Sequence, residues 1–173
     1  MSQWGSASLG EQGYSPIEIL RYYYGDDLYI NTAQQIAGKA RSNLVPCGQM
    51  VCRHGNNSFW NNYTAPDYYV PYRDYIKNVA SSEIYATWPE SALVSNILAI
   101  MSFTLNRVYT EWYRNQGYDF TITSSTAYDH KWIYGRNIFD SISIIVDEIF
   151  DQYLSRPDVR QPILTQYCDG KRC

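Results

Sequence analysis

The sequence predicts a single helix-rich α+β domain with three main helices and a small strand component. Three observations carry that expectation. Apolar residues recur at helical spacing in punctuated segments, only short stretches alternate as strands do, and 173 residues suit one core. A chain of that length buries roughly 70% of its unfolded surface. With 18% charged and 45% apolar residues it is globular rather than disordered.

The first helix is expected over about 16–24. Ser15, Pro16 and Glu18 supply an N-cap, a proline at the first helical position and a capping-box carboxylate. Ile17, Leu20 and Tyr24 follow at helical spacing, and Gly25 stops the helix. A short helical turn is expected near Asn31–Ala37, closed by Gly38. Residues 39–66, KARSNLVPCGQMVCRHGNNSFWNNYTAP, are rich in Asn, Gly and Pro and lack periodicity, so they are read as a linker. DYYVPY is extended, and DYIKNVASSE reads as a helix.

The strongest helix begins at a second apparent capping box, Thr87-Trp88-Pro89-Glu90. Leu93, Ile97, Ile100, Thr104, Val108 and Trp112 form its stripe, and it ends near Gly117. FTITSSTAYD alternates like a strand. A third long helix is expected from Ile138 to Leu154, burying Phe139, Ile142, Ile145, Val146, Ile149 and Tyr153 before Pro157 blocks it. The tail QPILTQYCDG reads as a strand entering a turn.

Net charge is −3, which argues against an electrostatic grip on nucleic acid or an anionic membrane. No uninterrupted apolar run of about 18 residues suggests a membrane span. No basic stretch followed by an apolar run marks a signal peptide in this chain. Tyrosine is the outlier, with 18 Tyr beside 5 Trp. Such rings stack on sugar faces and hydrogen-bond hydroxyls, although half-buried surfaces use them too. The runs Tyr22-Tyr23-Tyr24 and Tyr68-Tyr69 hold more rings than one helix turn or strand pair can bury.

No phosphate loop, dinucleotide fingerprint or nucleophile elbow is present, and His54 and His130 have no histidine at i+4. Carboxylates are therefore the candidates for chemistry. Glu90 is explained by its capping box, and Asp147, Glu148 and Asp151 by the polar face of a helix. Glu83 is different. In VASSEIYATWPE it sits where one helix ends and the next begins, before Ile84, Tyr85 and Trp88. A carboxyl among such groups loses solvation, and its pKa rises toward the range useful to a general acid.

The segment YIKNVASSEIYATWPESALVSNILAIMSFTLNR resembles the signature of the stage II sporulation protein D family, with Glu83 at the catalytic Glu and Glu90-Ser91-Ala92-Leu93 at its E-A-L element. Met101-Ser102-Phe103 stands where R-T-Y is usual. The opening MSQWG resembles a second motif, M-S-Q-[YW]-G-A, followed by E-I-L-x-Y-Y-Y, here EILRYYY. The resemblance covers 1–38 and 67–173 and is closest to the clostridial spore peptidoglycan-associated branch. Three departures stand out: no Gly-His-Gly-x-Gly run precedes MSQ, the Arg position is Met101, and the motif order is reversed. The reversal implies circular permutation, with 39–66 joining the old ends, or a fragment cut out of phase from tandem copies. Surface termini lying close together make permutation physically reasonable.

The resemblance implies a lytic transglycosylase that cleaves peptidoglycan glycan strands outside the cell, in the wall or spore envelope, without a cofactor or metal. It places Glu83 as the catalytic residue and Gln3, Trp4, Tyr85, Trp88 and Ser102 on the substrate. A single acid suffices there, whereas a two-carboxylate hydrolase must also place a second group. Loss of the Arg and the His run leaves a second class open, a glycan-binding or structural wall module without catalysis. Nothing in the sequence sets an oligomeric state. Cys47/Cys52 and Cys168/Cys173 form two C-x4-C pairs, compatible with local disulfides, free thiols or a four-thiolate zinc site, disulfides being favoured in a wall-directed protein.

Overall fold

Around one buried helix, Glu90–Thr110, the rest of the chain is arranged, and the computed structural model describes residues 1–32, 49–53 and 66–168 of it. The elements in chain order are α1 (Gln3–Glu11), α2 (Pro16–Tyr24), β1 (Tyr29–Thr32), β2 (Gln49–Arg53), β3 (Asp67–Pro71), α3 (Tyr72–Glu83), α4 (Glu90–Thr110), β4 (Ile122–Thr123), α5 (Asp140–Glu148) and β5 (Gln152–Ser155). One 3-10 turn, Arg114–Gln116, follows α4. Among the described residues five α-helices and a few short strands make an α+β single-domain layout, as expected from the sequence.

Helix α4 is buried nearly all round, because helices α1, α2, α3 and α5 and strand β5 all pack on it. Its expected stripe is buried through Leu93, Ile97, Ile100 and Thr104, whereas Trp112 lies beyond the helix and is exposed. The helix stops at Thr110 rather than near Gly117, because Glu111 takes a left-handed conformation at φ 48° and its N–H caps back onto Arg107 and Val108. Length and apolarity would suit a membrane span, but 83% of that window is buried inside the fold.

Helix α2 matches its expected bounds. The Glu18 carboxylate accepts from the Ser15 N–H at 2.8 Å and the Ser15 hydroxyl at 2.7 Å. Leu20 is fully buried and Ile17 packs on the same core. Helix α3 also matches, with Tyr75, Ile76, Val79 and Ala80 fully buried. The second capping box does not form. The chain turns at Trp88, whose N–H bonds the Tyr85 carbonyl, so α4 starts two residues later with Pro89 at its cap. Glu90 is left exposed in the first turn, where a carboxylate favours the helix dipole.

Other expectations are corrected. Residues 31–32 belong to strand β1, and the rest of the expected turn to Gly38 lies outside the described residues. The third long helix is really α5, a turn, and strand β5, which pairs antiparallel with β1 from Tyr29↔Ser155 to Thr32↔Gln152. Phe139, expected on the buried side, is exposed at the helix cap, while Ile142, Ile145, Val146 and Tyr153 are buried. FTITSSTAYD gives only the two-residue β4, and QPILTQYC gives one bridge, Ser2↔Cys168, in place of a strand, while the expected turn at 169–170 lies outside the described residues. That tail is held by other bonds: Asn106 Nδ2 donates to the Pro162 carbonyl at 2.8 Å and the Ile163 N–H to the Leu154 carbonyl at 2.9 Å.

The expected linker is not a linker at residues 49–53. Strand β2 is central in a three-stranded sheet, antiparallel to β3 and parallel to β4. Met50 and Cys52 enter the main core, and Arg53 holds Asp67 opposite it by two bonds of 2.7 and 2.8 Å. Cys52 is a buried thiol, so the expected Cys47–Cys52 bridge and the four-thiolate site both fail. Cys168 is disulfide-bonded, to a partner outside the described residues.

The first helix, α1, had no large apolar stripe to announce it. Ser2 caps it, accepting from the Gly5 N–H at 2.9 Å, and its buried face is Gln3, Ser6 and Ala7. Asn96 of α4 donates to Ser6 Oγ at 2.7 Å, and Ser6 Oγ to the Gln3 carbonyl at 2.6 Å. At Gly10 the two helices come so close that an added Cβ would lie 3.2 Å from the Pro89 Cβ and 3.3 Å from that of Ala92.

Candidate functional site

Glu83 closes helix α3, and three separate segments converge on its carboxylate. Gln3, the first residue of α1, donates from Nε2 to Oε2 at 3.1 Å. The backbone N–H of Lys131 donates to Oε1 at 2.6 Å. The Tyr167 phenol approaches without closing a well-aligned bond and is otherwise buried without a partner. Burial of the Glu83 carboxyl raises its pKa above the usual value, and these contacts with the Lys131 N–H, Tyr167 and Gln3 only partly oppose that rise. The proton is therefore held at a higher pH than on an exposed glutamic acid.

Each partner is fixed by its own scaffold. Gln3 is held by the Asn96–Ser6 chain and by its own N–H, which donates to the Cys168 carbonyl at 2.8 Å. Lys131 rides on a loop zipped along α3. Asn78 exchanges two bonds with Ile133, at 2.7 and 2.9 Å, and Arg136 Nη2 donates to the Ser81 carbonyl at 2.7 Å. That loop starts at Asp129, whose side chain is 0% exposed and ion-pairs with Arg107 at 2.8 Å. Asp129 also accepts from the Tyr113 hydroxyl at 2.6 Å and the Thr123 N–H at 2.9 Å.

Tyr167 is positioned from below. His130 stacks on it with ring centroids 5.5 Å apart and 16° between planes, and lies 4.5 Å from the Phe103 ring. His130 is fully buried, its Nδ1 lies 3.2 Å from the Tyr75 hydroxyl, and burial followed by the Arg107 charge lowers its pKa to about 3. It is a neutral ring stacked on Tyr167, not a charged acid near neutral pH.

A cavity of about 440 Å³ opens over this cluster, lined among others by Gln3, Glu83, Lys131 and Tyr167. An adjoining cavity of about 400 Å³ shares Thr126, Asp129, Tyr167 and Cys168 with it and continues to Met1 and Phe103. Trp4, Tyr85 and Trp88, close in the chain to Gln3 and Glu83, form a three-ring cluster, with centroids 5.4, 5.2 and 5.6 Å apart pairwise. Trp4 is 52% exposed and Tyr85 58%. The fold thus brings Gln3, Trp4, Glu83, Tyr85 and Trp88 together from α1, the end of α3 and the α3–α4 turn.

Ser102 is corrected. It is fully buried on α4, where its Oγ accepts from the Leu154 N–H at 2.7 Å, so it anchors β5 and does not face the cavity. Met101 is likewise buried in the core. Sequence reasoning missed Tyr167, Lys131 and the loop anchored by Asp129. A backbone donor carries no residue-type signal, and Tyr167 is one tyrosine among many.

Among the described residues no group of three or more His, Cys, Asp or Glu is arranged to hold a metal. The chain start lies against the tail: the Met1 amine donates to the Gln166 carbonyl at 2.9 Å and the Cys168 N–H to the Met1 carbonyl at 2.9 Å. In comparisons with known proteins, no family model, curated protein or solved structure matches the chain.

Proposed function

We propose that the protein is a peptidoglycan lytic transglycosylase in which Glu83 is the single general acid and base. The observation that carries the reading is a carboxyl with raised pKa, bonded by two donors and approached by the Tyr167 phenol, in the wall of a cavity, with a partly exposed aromatic cluster formed by its chain neighbours. Protonated Glu83 delivers its proton to the glycosidic oxygen as the bond to the muramoyl C1 breaks. The resulting carboxylate takes the proton of the muramoyl 6-hydroxyl, whose oxygen closes on C1 to give the anhydro ring. The proton count balances, and no water is consumed.

That scheme needs one carboxylate, and the cavity's other lining carboxylate, Asp129, is engaged with Arg107, Tyr113 and Thr123. Trp4, Tyr85 and Trp88 offer faces for saccharide rings and Gln3 a polar contact beside the acid. The resemblance of residues 75–107 and 1–24 to the stage II sporulation protein D family supports the same chemistry. The parallel bridge between Ser2 and Cys168 supports the permuted order, since it puts MSQWG directly beside TQYC. The disulfide at Cys168 suits an oxidising location such as a cell wall or spore envelope.

Incubation with purified glycan strands lacking stem peptides, followed by detection of anhydro-muramoyl ends, tests the proposal. The exposed aromatic cluster favours one alternative, a wall-binding module without catalysis. Such a module would retain strands and release no ends.

A further inference from the structure

A second cleft, of about 240 Å³, lies between α3 and the loop 132–138, lined among others by Asp74, Lys77, Asn78, Trp132 and Arg136. Among the described residues two donors of its lining side chains have no acceptor: the indole Nε1 of Trp132 and Nε of Arg136 are both buried and unpartnered. Trp132 is only 6% exposed. A buried donor left without an acceptor is a standing cost that a suitable ligand relieves.

The charges point the same way. Lys77 is paired with Asp147 at 3.0 Å, and Asp147 also holds Arg73 at 2.8 Å. Arg136 donates from Nη2 to the Ser81 carbonyl, but forms no ion pair among the described residues. Among the described residues the cleft thus offers a guanidinium in no ion pair, and the carboxylate that shares the lining, Asp74, is exposed. Guanidinium groups suit planar carboxylates because two N–H donors match two oxygens. Beside the cleft, Tyr68 lies 5.2 Å from the Trp132 ring and 5.0 Å from that of Tyr134, which is 70% exposed. An exposed ring next to an anion site fits a ligand with a carboxylate on one side and an apolar sugar face on the other.

We propose that this cleft binds a sugar acid, its carboxylate received by the Arg136 guanidinium and the Trp132 indole N–H and its ring laid on Tyr134. The proposal rests on the glycan reading above only for the choice of N-acetylmuramic acid, whose lactyl group supplies the carboxylate. Asn78, at the cleft, precedes Glu83 by five residues on α3, roughly 7.5 Å along the helix axis at about 1.5 Å per residue.

The test is a titration of the full ¹⁵N-labelled chain, following the indole N–H resonances, with that of Trp132 assigned as the signal lost in Trp132→Phe. N-acetylmuramic acid should shift it saturably, binding on the order of tenfold more tightly than N-acetylglucosamine, which lacks the carboxylate. Arg136→Gln should remove that preference while leaving the other indole signals in place. Absence of a saturable shift in the wild-type chain, equal response to both sugars, or a response only to a short acidic peptide overturns the proposal. Because the readout needs no turnover, a chain that binds the acid but cleaves nothing rejects the transglycosylase reading alone, and one that cleaves but shows no shift rejects this site alone.

Discussion

Replacing Asp129 by Ala removes the anchor on which the Lys131 loop depends. The carboxylate is wholly buried and accepts from Arg107 Nε, the Tyr113 hydroxyl and the Thr123 N–H at 2.8, 2.6 and 2.9 Å. Arg107, with a side chain only 10% exposed, would then be left with a largely buried and uncompensated charge. Breaking a buried pair from one side destabilises by about 3–5 kcal/mol. Against a total stability of about 5–15 kcal/mol that is a large share, and it lowers Tm by roughly 6–20 °C for a domain of this size. The internal control is Asp119→Ala, which breaks the exposed pair with Arg114 and should cost under about 1 kcal/mol. Thermal unfolding followed by circular dichroism compares the two. A loss at Asp129 no larger than at Asp119 would refute the account of how the loop, and through it the Lys131 N–H, is held.

Other expectations follow from the same geometry. Asn96→Ala removes the donor that latches Ser6 of α1, and should destabilise by about 1–3 kcal/mol in urea melts while weakening any glycan affinity that depends on Gln3. Glu83 carries a raised pKa in the fold, so the unfolded chain loses its proton first as pH rises. The stability of the wild type relative to Glu83→Gln should therefore fall as pH climbs from the ordinary glutamate range through the raised value, then level off; a difference flat with pH contradicts the burial argument. With Cys168 bonded and Cys52 a buried thiol, denaturation without reductant should expose two titratable thiols, and native protein should react slowly at Cys52. A count of four would remove the disulfide, and a count of zero the Cys52 thiol.

Much of the fold was legible where side-chain chemistry was local. Ser15, Pro16, Glu18 and Gly25 bound α2 correctly because capping and left-handed stop signals act within a single turn. The Ile149/Tyr153 spacing misled, since a short apolar run buried on both faces looks alike as helix or strand. What decided it was a distant partner, β1, together with Ser102 accepting from Leu154. Helix α1 and strand β2 were illegible for a related reason. The first buries small polar residues that satisfy one another across α4, and the second sits amid Asn, Gly and Pro that read as a connection. At the site, Glu83 stood out because an acid among apolar neighbours is a local contradiction, and its aromatic company, Tyr85 and Trp88, lay next to it in the chain. Tyr167 and the Lys131 N–H reach Glu83, and the His130 ring reaches Tyr167, only through tertiary folding.

The most direct measurement is strand cleavage by Glu83→Gln beside the wild-type chain on purified, peptide-free glycan. Gln keeps the acceptor for the Lys131 N–H and the shape of the cavity, but has no proton to give. General acid–base catalysis contributes typically about 10²–10⁴-fold, so the variant should form anhydro-muramoyl ends at least about a hundredfold more slowly while still retaining strands on the Trp4, Tyr85 and Trp88 rings. Wild-type chain that binds strands but yields no anhydro ends, or a variant that cleaves at the wild-type rate, would contradict the assignment of Glu83 as the single acid and base.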